Sequence, residues 1–170
     1  MLRSIKSLQS IWNEISLAFL NNQEFLEYLG YENPRETMED YLKNYLTLDE
    51  QFSDFAKKVT GRMELCLLSN DVAEWSEFLT EYHGMNPYFK EKIVSGTVQL
   101  RKPDKAIFEY AMEKLQCEPG DCIFVDNSVK NLRIAAELGI KTILFNRDGE
   151  EYEGNVVNDF VELEAELLKV

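Results

Sequence analysis

The chain has no long apolar run. Nothing in it approaches the roughly 18 uninterrupted apolar residues of a helical membrane span. Its first residues, Met1-Leu-Arg-Ser-Ile-Lys, lead into an amphipathic segment rather than the apolar core of a signal peptide. Positive charge is scarce: 18 Lys and Arg stand against 31 Asp and Glu, a formal net charge of −13. Such a field repels phosphate backbones and anionic lipid, so neither nucleic acid nor a membrane is an expected partner. Histidine occurs once, as His83, at the end of a predicted helix, where the helix dipole accounts for it without a catalytic part. The three cysteines, Cys66, Cys117 and Cys122, include no Cys-x-x-Cys pair. An odd count at this spacing argues against a disulfide framework and fits reduced thiols in a cytoplasmic protein, with Cys66 a small core residue of a strand. Repeats, low-complexity tracts and a flexible linker are also lacking.

What is present suits a globular chain: 170 residues, 45% of them hydrophobic, make one average domain or one domain carrying an insertion. Residues 1–61 read as helices. Ile5, Leu8, Trp12, Ile15 and Phe19 recur at spacings of three and four, placing an apolar stripe on an opening helix. Asn22 to Leu29 forms a second helix ended by Gly30. A third starts at Asn33-Pro34-Arg35-Glu36, with Met38, Tyr41, Leu42 and Tyr45 as its apolar face. Thr47-Leu-Asp-Glu50 carries a capping-box pattern and predicts a fourth helix through Phe52, Phe55 and Val59 to Gly61.

From residue 62 the pattern becomes strand–loop–helix. Glu64 to Leu68 is a compact apolar run closed by Ser69-Asn70-Asp71, and the following helix buries Val72, Trp75, Phe78, Leu79 and Tyr82. Its loop opens at a helix N-terminus, where amides favour an anion. Lys92 to Ser95 predicts a short strand, and Gly96 to Leu100 a connection to Arg101-Lys102-Pro103-Asp104, where Pro103 and Asp104 start another helix. The organising stretch is Ile123-Phe-Val-Asp-Asn-Ser-Val-Lys-Asn131: a buried strand ending at Asp126 and Asn127, a helix through Leu132, Ala135, Ala136 and Leu138 to Gly139, then a strand at Lys141 to Phe145. Such a βαβ unit is right-handed in a parallel sheet, whose ligands bind beyond the carboxyl ends of the strands, where Asp126 sits. The residues alone leave plainer roles open. Asp126 can simply cap its helix through Asn131, Ser69 can be an ordinary N-cap, and Lys102 a solvated charge. A last helix is predicted from Val157 to Leu168, with Phe160, Leu163 and Leu167 docking on the sheet.

Ser69 after Leu-Leu, Lys102 in Arg-Lys-Pro-Asp, and Phe-Val-Asp-Asn with Asn131 and Ala-Ala-Glu-Leu-Gly139 resemble, in this order, the second, third and fourth motifs of the haloacid dehalogenase superfamily. The resemblance covers roughly residues 64–147. It implies an α/β fold, a three-layer Rossmann-like parallel sheet in residues 62–170, with residues 1–61 as a helical cap whose Phe19, Phe25, Tyr28, Tyr41 and Tyr45 are candidates to line the cavity. It also implies Mg²⁺-dependent hydrolysis of a small phosphorylated metabolite through an Asp nucleophile, with a second Asp two residues later as acid and base. Carried over by position, Ser69 and the amide of Asn70 would hold phosphoryl oxygens and Lys102 the nucleophile and phosphate. Asp126 would be the acidic Mg²⁺ ligand, with Asn127 where many members have a second Asp. An ammonium beside carboxylates, a hydroxyl with helix amides and hard oxygen ligands are chemically suited to those parts.

The family's first motif, an apolar strand ending in Asp-x-Asp, has no counterpart. Asp occurs at 40, 49, 54, 71, 104, 121, 126, 148 and 159, and no two are two positions apart. The sequence therefore reads as a family member cut just after its first, central strand, with little Mg²⁺ affinity and no aspartyl-phosphate chemistry as it stands. Two alternatives remain open: a non-catalytic phospho-ligand or interaction module that keeps Ser69, Lys102 and Asp126, and a receiver-like signalling domain. The long helical opening and the lack of an early acidic pair argue against the receiver.

Overall fold

The computed structural model describes residues 16–18 and 22–169. The predicted stripe Ile5, Leu8, Trp12, Ile15 and Phe19 lies outside them. In chain order the described elements are α1 (Asn22–Tyr28), α2 (Pro34–Asn44), α3 (Phe52–Val59), β1 (Leu65–Ser69), α4 (Ala73–Tyr82), a 3₁₀ turn at Asn86–Tyr88, β2 (Phe89–Val94) and the single turn α5 (Ser95–Val98). There follow α6 (Lys105–Leu115), a 3₁₀ turn at Pro119–Asp121, β3 (Ile123–Asp126), α7 (Val129–Glu137), β4 (Lys141–Phe145), β5 (Asn155–Val157) and α8 (Phe160–Leu167). Among the described residues the strands form two sheets, β1–β2 and β3–β4–β5, the second parallel throughout.

The chain folds into two compact units that alternate along the sequence. One holds the described residues up to Leu48 with Leu67–Asn86 and Ile93–Arg101; the other holds Asp49–Cys66, Pro87–Lys92 and Lys102–Val170. In the first unit Leu26, Met38, Leu42, Val72 and Trp75 form a buried cluster, with Phe25, Leu46, Phe78 and Leu79 packed on it. Removing these side chains from water is what holds short helices that are marginal alone. The predicted apolar faces are narrower than expected: Tyr41, Tyr45 and Tyr82 are 42%, 71% and 54% exposed. Tyrosine tolerates this because its rings cover apolar neighbours while the hydroxyl stays wet; Tyr41 stacks on Tyr45, and Tyr82 on Phe78. His83 ends α4, and its Nε2 lies 3.0 Å from the carbonyl oxygen of Leu46, a structural tie between two connections.

In the second unit the β3–β4 register runs from Ile123 opposite Lys141 to Asp126 opposite Leu144. α7 lays Val129 and Leu132 on Leu144 and Phe124. A second nucleus is aromatic: Phe160 sits within 5.0–5.6 Å, ring to ring, of Phe52, Phe55 and Phe145. Helix α3 starts later than the capping-box pattern predicts. The Asp49 carboxylate accepts from the Gln51 amide in a tight turn ahead of the helix, Gln51 stands at the N-cap, and helical geometry begins at Phe52. Strand β5 was not expected and takes Val157 from the predicted last helix, which instead begins after Asp159, whose carboxylate accepts from Glu162 N at 2.8 Å. A three-residue edge strand with Val156 41% exposed leaves no alternation to read. Cys66 is half-buried rather than a core residue.

Candidate active site

The second unit brings two of the expected site residues together. Lys102 stands just ahead of α6, whose start is fixed by Asp104: its carboxylate accepts from the Ala106 amide at 3.1 Å, the N-cap that the Pro-Asp pair predicts. Asp126 ends β3. Lys102 Nζ donates to Asp126 Oδ2 at 2.7 Å, with the two side chains only 11% and 6% exposed. The other oxygen, Oδ1, accepts from the Ser128 amide at 2.8 Å and from Asn131 Nδ2 at 3.0 Å. The ammonium also lies 5.4 Å from the centre of the Phe124 ring, which adds a cation–π contact. Burial this deep is sustained only because each charge has a partner and the carboxylate has further donors. Asp126 therefore both ties down the start of its own helix, at the Ser128 amide and the Asn131 side chain, and pairs with Lys102.

Asn127 follows Asp126 and donates through Nδ2 to Asp148 Oδ2 at 3.0 Å. Asp148 belongs to the loop after β4, which closes on itself: Glu150 N donates to Asn146 Oδ1 at 3.0 Å and Asn146 Nδ2 to the Glu150 carbonyl at 3.2 Å. Glu150 Oε2 then accepts from the Val129 amide at 3.2 Å. Two leading amides of α7 are thus occupied by carboxylates of the chain itself. Sequence reading missed Asp148 and Glu150; the available signal was acidic residues in a loop that follows a parallel strand, the same edge on which Asp126 stands.

Ser69 and Asn70 lie in the first unit, at and just past the end of β1. Their loop is pinned by the next residue. Asp71 donates its amide to Ser95 Oγ at 3.0 Å, and its carbonyl accepts from Ser95 Oγ at 3.1 Å and from the Gly96 amide at 3.0 Å. The Asp71 carboxylate accepts from Val72 N at 2.8 Å, and burial pushes its pKa up to about 6. Gly96 is required here: a Cβ would stand 2.7 Å from Ala73 N and 2.9 Å from the Asp71 carbonyl oxygen.

The donors assembled do not by themselves fit Mg²⁺. That ion demands near-octahedral oxygen coordination and is held by one or two carboxylates together with waters and phosphate oxygens. Asp126 is a single carboxylate whose two oxygens already accept from an ammonium and two N–H groups, and the amide nitrogen of Asn127 is turned to Asp148. Among the described residues no three His, Cys, Asp or Glu side chains gather as a metal site. No helix among them is long and apolar enough to cross a membrane.

Comparison with known proteins agrees with the motif reading. A family model for haloacid dehalogenase-like hydrolases matches residues 6–139. The D-ribitol-5-phosphate phosphatase of Bacteroides thetaiotaomicron is 29% identical over 143 residues, 78% of this chain and 69% of that protein. Drimenol cyclase drtB of Aspergillus calidoustus is 29% identical over 109 residues, 62% of this chain, which spans only 21% of the cyclase. Among solved structures, a haloacid dehalogenase family enzyme of B. thetaiotaomicron in complex with magnesium and inorganic phosphate superposes with a TM-score of 0.73 at 22% identity, covering 86% of this chain and 79% of that one. That likeness establishes the α/β fold with its parallel sheet.

Proposed function

Because the chain belongs to the haloacid dehalogenase-like hydrolases, a family whose relatives include phosphatases, we propose that it supplies the phosphate-holding part of a phosphatase-type site. Its substrate is a small phosphorylated metabolite. Lys102 contributes the cation that meets the phosphoryl oxygens, and Asp126 fixes that ammonium in place. Of residues 1–61, those up to Leu48 act as a helical cap, whereas Asp49 to Gly61 pack with the second unit. The observation that carries this reading is the buried 2.7 Å pair of Lys102 and Asp126, which fixes an ammonium at the carboxyl end of a parallel strand, the edge at which such sheets bind ligands.

Hydrolysis through an aspartyl phosphate needs a nucleophilic carboxylate and a second one two residues on, and these 170 residues contain no Asp-x-Asp. Mg²⁺ requires additional oxygen ligands of the same kind. The 170-residue chain therefore binds a phosphoryl group without turning it over, and in that respect acts as a phospho-ligand module; catalysis requires a strand bearing the carboxylate pair. The test is titration with inorganic phosphate followed by NMR, beside an assay of p-nitrophenyl phosphate hydrolysis with Mg²⁺. Saturable shifts at residues 102 and 126, lost in Lys102→Gln, with no hydrolysis above buffer, are expected. Hydrolysis abolished by Asp126→Ala would overturn the view that this chain lacks turnover, and shifts unchanged in Lys102→Gln would overturn the binding assignment.

A further inference from the structure

The connection from α6 to β3 carries a feature that plays no part in phosphate chemistry. We propose that Cys117 and Cys122 form a reversible modification site, a thiol pair that closes to a disulfide in the presence of a low-molecular-weight disulfide of the glutathione class and reopens when thiol is in excess. Their sulfur atoms are 3.1 Å apart, with Cys122 Sγ also 3.5 Å from the Glu118 carbonyl oxygen. Both thiols are reduced and half-buried, so a small reagent can reach them.

The backbone holds the pair in place. Cys117 N donates to the Met112 carbonyl at 3.2 Å, closing α6 behind Gln116, which takes φ 54°. Asp121 N bonds Glu118 O at 3.0 Å and Cys122 N bonds Pro119 O at 3.1 Å, forming the 3₁₀ turn, and Lys141 N donates to the Cys122 carbonyl at 3.1 Å at the entry to the parallel sheet. Closure therefore needs little backbone movement. It would tie the C-terminal end of α6 to the start of β3, the ends remote along each element from Lys102 and Asp126. The odd cysteine count argues against a framework of disulfides, but it does not bear on a local pair.

The two sulfurs have different parts. Cys117 thiolate attacks one sulfur of the small disulfide and expels the first small thiolate, giving a mixed disulfide. Cys122 then loses its proton to solvent and attacks the Cys117 sulfur, expelling the second small thiolate. Two protein thiols become one disulfide, and one small disulfide becomes two thiols. Burial, and then the hydrogen bond with Cys117, push the Cys122 thiol of the reduced pair up to about 12, which disfavours Cys122 as the first attacker. Cys66, pushed to about 11 chiefly by burial, is a poor competitor.

The experiment uses the full chain, incubated over a series of oxidised-to-reduced glutathione ratios, quenched in acid, and followed by intact mass, thiol titration and non-reducing peptide mapping. The expected product has lost two hydrogen atoms, titrates one thiol instead of three, and links Cys117 to Cys122. Cys66→Ser should close in the same way, while Cys117→Ser and Cys122→Ser should not close. A linkage involving Cys66, a product that stops at a glutathione adduct, or a disulfide-linked dimer would overturn the proposal. The wild-type map alone decides, whatever the variants do to folding.

Discussion

The loops after β1 and β3 share one design and treat their aspartates in opposite ways. Each strand ends on polar residues, each is followed at once by a helix, and each has a carboxylate that accepts from a backbone amide of the loop. At β3 the carboxylate has an ammonium and a side-chain amide besides, so Asp126 is buried with partners on both oxygens. At β1 the Asp71 carboxylate accepts from Val72 N, among the described residues no cation pairs with it, and burial dominates, raising its pKa to about 6. The same local motif therefore yields an ion-paired carboxylate in one place and, in the other, a buried one whose pKa is raised to about 6. What differs is whether a distant part of the chain delivers a cation, as Lys102 does across 24 positions of sequence.

The largest effect should come from breaking the β3 arrangement. Asp126→Ala takes from the buried Lys102 ammonium its carboxylate partner and removes the anchor of Ser128 and Asn131; a loss of about 3–5 kcal/mol is expected in urea unfolding. Lys102→Met combined with Asp126→Leu should recover much of it, and failure to do so would mean that the pair is not the source of the cost. Next is the support beneath the β1 loop. In Gly96→Ala the new methyl meets backbone atoms of Ala73 and Asp71 that cannot step aside, and a fall of roughly 1–3 kcal/mol should appear as a lower melting temperature.

The proton sensitivity gives a third comparison. Asp71 has a folded pKa of about 6 against an ordinary 3.8, so between those values the folded state holds more protons than the unfolded one. Its contribution to stability is therefore present at low pH and lost as pH rises through the window. Asp71→Asn should be more stable than the parent at pH 7, on the order of 1–3 kcal/mol, with the gap narrowing toward pH 4. A gap that does not change with pH would remove the contrast between the loops. The smallest effect is expected for Asn131→Ala, which deletes one of three donors to Asp126 while leaving the ion pair, a loss of about 1 kcal/mol by denaturant titration.

Much of this was legible because it is local. Alternating strand and helix signals placed β1, β3, β4, α6 and α7 within a residue or two, and Pro103-Asp104 marked a real helix start. Lys102 and Asp126 were nominated together by motif spacing and lie in contact. The exposed tyrosines were misread because a helical period reveals a stripe and not how wide a neighbour covers it. Asp148 and Glu150 were missed because a loop's closure depends on bonds such as Glu150 to Val129, which have no sequence period.

By itself the sequence determined the order of elements, the acidic field of −13, the motif residues and the lack of an Asp-x-Asp pair, since each is a matter of residue type and near-neighbour spacing. Only the tertiary structure decided which carboxylate is paired and which is left to titrate, and that Cys117 and Cys122 face one another. Those outcomes turn on distances of a few ångströms between side chains and on how much water reaches them, which chain folding sets and residue order does not display.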